Sequence, residues 1–182
     1  MSNAKLHDYD RIAGDSYVTI EADRLVPLLN QFFPVSGRVH EPAEGGGHLT
    51  RELAKLPDVS GVIETDIQTG TPIEALDGSI KPDWVCSNLP FKGQDALIWH
   101  LLNIYPQAWH AYLVRWNYLP PKKRHSVIHA NPRFAGTVVC SKRPRWVENS
   151  TGSPAVDYCW AVWSPIGAPV TTPTIHFEGA AQ

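Results

Sequence analysis

Between Ala96 and Val147 the chain has no aspartate or glutamate, while that span carries Arg115, Lys122, Lys123, Arg124, Arg133, Lys142, Arg143 and Arg145. Fifteen of the 18 acidic residues fall in the first 95 positions. A net charge of −2 therefore conceals a basic block on an acidic chain. Such a block can neutralise phosphates; if its charges scatter in three dimensions it is simply a solvated face. Cysteine is also scarce. Cys86, Cys140 and Cys159 are far apart, each in an apolar, strand-like run. An odd number without Cys-x-x-Cys spacing reads as buried free thiols in a reducing, cytoplasmic setting, and argues against a zinc site. His125 and His129 share a helical spacing, but no third ligand lies nearby in sequence, so no metal is expected. No apolar run approaches the length needed to cross a bilayer. Met1–Asp10 is polar and lacks the apolar core of a signal peptide, so no membrane partner is expected.

What is present is an ordinary globular composition: 182 residues, 43% hydrophobic and 19% charged, enough for one domain with a full core. Leu25, Leu28, Leu29, Phe32 and Phe33 recur on a helical period over Glu21–Phe33, with Thr19 as a candidate cap. A short strand follows at Arg38–Ala43, then a glycine cluster, then a helix over Leu49–Leu56 that Pro57 closes. Gly61–Ile67 reads as a strand. Residues 68–82 are rich in Gly, Pro and Thr and read as loop, with one helical turn near Ile73–Leu76. Asp83–Ser87 is a strand, Asp95–Ile104 a helix, Ala111–Trp116 a strand and Pro120–His129 a short basic helix. Gly136–Ser141 and Tyr158–Trp163 are strands joined only by a polar loop, too short for a helical crossover. They read as a hairpin that puts an antiparallel strand at or near one sheet edge. Trp84, Trp160 and Trp163 are core candidates. No periodic pattern is seen in the tail. Alternating strands and helices predict an α/β sheet, mostly parallel and covered on both faces. The division is an N-terminal segment over 1–18, one domain over 19–165 and a tail over 166–182.

Two segments carry chemistry. The first is Glu41-Pro42-Ala43-Glu44-Gly45-Gly46-Gly47, between a strand and a helix, where glycines let backbone N–H groups approach a ligand. It is not the Gly-x-Gly-x-x-Gly of dinucleotide sites. Glu41 and Glu44 would repel a pyrophosphate and suit a cationic ligand. S-adenosylmethionine carries both an ammonium and a sulfonium. Asp66 follows Gly45 by 21 residues, after a second strand, where a carboxylate can accept both ribose hydroxyls. The second is Asn88-Leu89-Pro90-Phe91, at the carboxyl end of a strand. An Asn oxygen and a backbone carbonyl can accept the two N–H donors of a planar amine, and the aromatic ring can stack on the target. Target bases in duplex must first be flipped out.

Glu41–Gly47 resembles the first motif of class I S-adenosylmethionine-dependent methyltransferases. Ser87–Phe91 resembles the Asn/Asp-Pro-Pro-Tyr/Phe motif of their amino-methylating branch. Arg115–Leu119, Ser141–Pro144 and Asp157–Trp163 are similar to small phage- or prophage-type DNA adenine methyltransferases. The resemblance spans roughly residues 15–165. It implies a Rossmann-like, seven-stranded, mostly parallel sheet with helices on both faces and an antiparallel C-terminal hairpin strand. It implies S-adenosyl-L-methionine held by Glu41, Pro42, Ala43, Gly45, Gly46, Gly47, Asp66, Ile67 and Asn88. The methionine part would lie at Glu41 and the glycines, the ribose at Asp66 and the adenine at Ile67, with Asp77 near the adenine amine. Asn88, Leu89, Pro90 and Phe91 would form the catalytic segment. Nucleic acid, DNA favoured, would meet Lys122, Lys123, Arg124, Lys142, Arg143 and Arg145. Residues 118–134 and 142–156 would make any target choice, Trp146 and Asn149 among them. Asp15, Ser16 and Tyr17 would lie in a segment that lids the cofactor. Leu89 departs from the family's proline and gives up its fixed φ. The expected reaction is methyl transfer to the exocyclic amine of adenine in DNA. The alternatives are an RNA base, a protein glutamine, or a cofactor- or nucleic-acid-binding module that has lost catalysis.

Overall fold

The structure is a computed structural model describing residues 18–146, 156–169 and 172–179. Seven strands form one sheet: β1 (Gly37–Glu41), β2 (Val59–Glu64), β3 (Trp84–Ser87), β4 (Trp109–Arg115), β5 (Phe134–Val139), β6 (Tyr158–Trp163) and β7 (Thr174–Phe177). Their order is β2-β1-β3-β4-β6-β5-β7. β1 pairs in parallel with β2 and β3, β3 with β4, and β5 with β7. β6 is antiparallel to both β4 and β5. The antiparallel strand is therefore the third from one edge, near it as the hairpin reading has it. The edge is taken by β7, which comes from the tail in which no pattern was seen.

The sheet separates two apolar layers by strand alternation, since successive side chains point to opposite faces. Trp84, Cys86, Ala111, Leu113, Trp160 and Val162 meet α1 (Ala22–Phe32) and α2 (His48–Leu53) on one face. Val85, Tyr112, Val114, Ala161 and Trp163 meet α3 (Gln94–Ile104) on the other. Helices thus cover both faces, as expected. Trp84, Trp160 and Trp163 are buried, and the two C-terminal tryptophans each donate their indole N–H to a carbonyl, Leu25 and Val127 respectively. The three cysteines are free and buried. Residues 122–129 form not one α-helix but a 3₁₀ turn followed by a π-helical stretch.

The chain leaves β1 toward one face and β3 toward the other. Strand order reverses between these neighbours, and a crevice opens at their carboxyl ends. No helix among the described residues is long and apolar enough to cross a membrane.

Candidate cofactor and target site

The crevice is a cleft of about 340 Å³. Glu41, the last residue of β1, forms part of its lining with almost no exposure. Its Oε1 accepts the Ala43 N–H at 3.0 Å and the Ser87 hydroxyl at 2.5 Å, tying the end of β1 to the end of β3. Burial pushes the carboxyl up to about 8, and the hydrogen bonds from Ser87 and Ala43 only partly oppose that. The chain then turns through Pro42, Ala43, Glu44, Gly45 and Gly46, all in the lining. Gly47 is not. It starts α2 from a left-handed conformation (φ 68), where a Cβ would run into the Glu44 carboxylate and the Arg51 guanidinium. Its role is to turn the chain rather than to face the cleft.

Asp66 lies beyond the end of β2 and is buried. One carboxylate oxygen accepts the Gly45 N–H at 3.0 Å and the other the Gln68 N–H at 2.7 Å. Each oxygen keeps a second lone pair. Next to it Ile67 is 72% exposed within the cleft, an apolar surface turned to solvent beside a carboxylate. Asp77, expected near an adenine amine, is exposed and outside the lining, its carboxylate accepting the Ser79 N–H. Pro72, Ile73 and Glu74 supply that wall instead. The irregular 68–82 loop gave no period from which to choose among its acids.

Asn88 follows β3. Its Nδ2 donates to the Thr19 hydroxyl at 3.1 Å, and its Oδ1 is buried without a hydrogen-bond partner among the described residues. Thr19 is therefore not the cap of α1, whose first residue is preceded by an uncapped Glu21; its side chain serves the Asn88 amide. Thr19 and Val18 line the cleft, as do His48, Leu49, Gln68, Lys92 and Leu97, none expected from the sequence. His48 is the first residue of α2 and also faces the cleft. Pro90 is in the lining, whereas Leu89 and Phe91 are not. The Leu89 side chain is buried against α3, and its carbonyl accepts from Gln94 Nε2 at 3.3 Å. Phe91 packs toward Tyr158, ring centroids 6.0 Å apart, with the Arg115 guanidinium 4.3 Å above it.

Lys122, Lys123 and Arg124 follow β4 and Lys142, Arg143 and Arg145 follow β5, at the same end of the sheet as the cleft, whereas Arg133 precedes β5 at the other end and donates to the Leu102 and Ala108 carbonyls. Lys122 and Lys142 are exposed. Arg124 is bound to Asp95 at 2.7 Å and lies over the Tyr118 ring, and Lys123 is 3.7 Å from Asp95. Arg143 is 2.6 Å from Asp157, and Arg145 is exposed. Asn149, Asp15, Ser16 and Tyr17 lie outside the described residues.

This arrangement fits the group that the resemblance implies. A buried carboxyl suits a cation, a second carboxylate with free lone pairs suits a diol, and Gly45 and Gly46 leave backbone open to the cleft. An exposed isoleucine suits the flat face of a base. No family model and no curated protein matches the sequence. Solved structures do match in shape. A protein assigned to the class I S-adenosylmethionine-dependent methyltransferases, from Listeria monocytogenes, superposes with TM-score 0.57 and 12% identity. The match covers 91% of this chain and 66% of that one, so this chain spans just under two thirds of its neighbour's length. N-methyltransferase NodS from Bradyrhizobium japonicum WM9 gives TM-score 0.46 and 14% identity, covering 80% of this chain and 94% of that one. Precorrin-6y C5,15-methyltransferase from Geobacter metallireducens GS-15 gives 0.49 and 11%, covering 85% and 97%. The first of these carries the conclusion that the fold is that of class I S-adenosylmethionine-dependent methyltransferases.

Proposed function

We propose that the protein is an S-adenosylmethionine-dependent N-methyltransferase whose target is the exocyclic amine of adenine in DNA. The observation that carries this is the Asn88 Oδ1: a buried acceptor without a partner among the described residues, on a side chain that lines a cleft whose other polar groups suit the cofactor. A buried amide oxygen left unpaired costs about 1–3 kcal/mol, so an N–H donor entering there is favoured. An amine has that donor.

The cofactor would supply an electrophilic methyl group. Glu41, Pro42, Ala43 and the Gly45–Gly46 backbone would hold its methionine end, Asp66 its ribose and Ile67 its adenine. Asn88 Oδ1 would accept one N–H of the target amine, and the second lone pair of the Leu89 carbonyl the other. Both bonds would draw the amine out of conjugation with its ring, leaving the nitrogen lone pair free to attack the methyl carbon in line as its bond to sulfur breaks, after which the methylated nitrogen would lose one proton to solvent. Acceptors already aimed at the place where positive charge builds on nitrogen stabilise the transition state more than the ground state. Basic residues gathered at the cleft end of the sheet favour a phosphate-bearing substrate over a protein glutamine.

The test is tritiated methyl transfer to DNA, RNA and protein pools, beside calorimetric titration with S-adenosylmethionine. Asn88→Ala is expected to abolish transfer while leaving cofactor binding within a few-fold. Undiminished transfer in that variant removes Asn88 from the mechanism. Cofactor binding by the unaltered chain with no transfer to any pool favours the binding module.

A further inference from the structure

The glycine loop has few donors left for an anion. Of the five backbone N–H groups from Ala43 to Gly47, four are already taken: Ala43 donates to Glu41 Oε1, Glu44 to the Thr65 carbonyl, Gly45 to Asp66 Oδ2 and Gly47 to the Glu44 carbonyl. The Gly46 N–H alone has no partner among the described residues. The side chains around it are acidic. Glu41, Glu44, Asp66 and Glu74 line the cleft, against one lysine and no arginine among the described residues. Carboxylates and carbonyls suit the ammonium and sulfonium of the cofactor. Its methionine end also carries a carboxylate, and that group needs donors.

His48 stands beside that open N–H. A Cβ added to Gly46 would lie 3.2 Å from His48 Nδ1 and 3.4 Å from its Cε1, so the imidazole packs against the glycine and a side chain there would crowd it. The residue is half-buried in the cleft lining. No hydrogen bond to a described residue holds its ring, and Nδ1 is shielded from solvent without a partner. Buried polar atoms are nearly always paired. A neutral imidazole has one N–H to donate and a charged one has two. Lys92, the lysine of the lining, follows Phe91 beyond β3, whereas His48 follows the glycine loop beyond β1.

We propose that His48 is a further cofactor-binding residue, whose imidazole N–H, with the Gly46 N–H beside it, donates to the carboxylate at the methionine end of S-adenosylmethionine. This rests on the placement of the cofactor given above. The pair lets an acidic cleft hold a ligand that is both cation and anion: carboxylates face its positive groups, and His48 and Gly46 its negative one. It also gives the site a preference for S-adenosylmethionine over analogues without the carboxylate.

The test is calorimetric titration of the full chain with S-adenosylmethionine and with its decarboxylated analogue, which keeps the sulfonium, the ammonium, the ribose and the adenine. The unaltered chain is expected to bind S-adenosylmethionine at least about tenfold more tightly than the analogue. His48→Ala should weaken S-adenosylmethionine by about 10- to 150-fold, as loss of one hydrogen bond to a charged group does, and the analogue by less than about twofold. His48→Phe keeps a ring against Gly46 without its nitrogens and should give the same result. His48→Gln keeps an N–H donor and should keep most of the preference. A preference that survives in folded His48→Ala or His48→Phe overturns the inference. An equal loss for both ligands also overturns it, and marks a packing role. An unaltered chain that binds the two ligands alike overturns it while leaving the cofactor reading intact. Failure of the unaltered chain to bind S-adenosylmethionine overturns the cofactor reading and this inference with it.

Discussion

Leu89 stands where the resemblance places proline, and the question is what replaces the rigidity that a ring would give. The side chain is 1% exposed and packs with Leu97, Ile98 and Leu101 of α3. The carbonyl is held by Gln94, itself buried at the start of α3. Packing and a hydrogen bond thus restrain the segment where a covalent ring does so elsewhere. Leu89→Ala is expected to destabilise the protein by about 2–5 kcal/mol through the cavity it leaves, read by urea unfolding. Thr19 acts on the neighbouring residue. Its hydroxyl accepts one Asn88 N–H and so fixes which way the amide is turned. Thr19→Val is expected to lower kcat for methyl transfer by up to about 100-fold, as small misplacements of reacting groups do. KM for the cofactor should stay within a few-fold, and Thr19→Ser should restore the rate. A kcat unchanged by valine would show that Asn88 is oriented without Thr19. The sequence marked Asn88 as a candidate because its neighbours are distinctive. It could not mark Thr19, because a hydrogen bond across 69 positions leaves no local pattern.

At the scale of elements, the six strands with alternating or continuous apolar runs were legible to within a residue or two at most ends. β7 was not. It has four residues, mostly exposed, and lies close after the prolines of the tail. What holds it is distant: Glu178 receives Arg24 of α1 at 2.7 and 2.9 Å, and His176 stacks on Phe32 with ring centres 4.5 Å apart. Which place near the edge β6 takes was hidden for the same reason. A hairpin fixes which strands are neighbours, but not that the second of them enters between two others. Gly136 is the residue through which β5 admits β7. Its φ is 147, and a Cβ there would run into the Thr174 carbonyl. Gly136→Ala is expected to cost about 1–3 kcal/mol of stability and to raise hydrogen exchange selectively over 174–177. Protection there equal to that of the unaltered chain would mean that the sheet relaxes around the methyl group.

At the scale of the whole molecule, the acidic first half and basic third quarter become a division of labour at one end of the sheet. Glu41, Glu44, Asp66 and Glu74 line the cleft between β1, β2 and β3, and six of the cations, Lys122 to Arg124 and Lys142, Arg143 and Arg145, stand beyond β4 and β5. The division also makes stability depend on pH in two opposing ways. Burial holds His40 down at about 4 and His110 at about 3, so both are neutral in the folded chain over a range where the unfolded chain protonates them. Between about pH 4 and 6.5 the unfolded state binds more protons at these two residues, and stability rises with pH. Glu41 is displaced the other way. Its folded value of about 8 lies above the ordinary 4.5, so from about pH 4.5 to 8 the folded state holds the extra proton and stability falls as pH rises. Below pH 6.5 the two histidines outweigh the one carboxyl; above it they are neutral in both states and the carboxyl prevails. The balance places maximal stability of the ligand-free protein near pH 6.5, with decline on both sides. Thermal melts across pH 4.5–8.5 check this. Glu41→Gln is expected to abolish the alkaline decline while leaving the acid limb in place, because it removes the proton that the folded state retains. The same proton should govern the cofactor. A sulfonium or ammonium beside Glu41 favours its ionised form, so binding of S-adenosylmethionine is expected to release a proton and to tighten as pH rises from about 6.5 to 8. In Glu41→Gln that dependence should vanish. An equally steep pH dependence of cofactor binding in that variant would place the titrating group elsewhere.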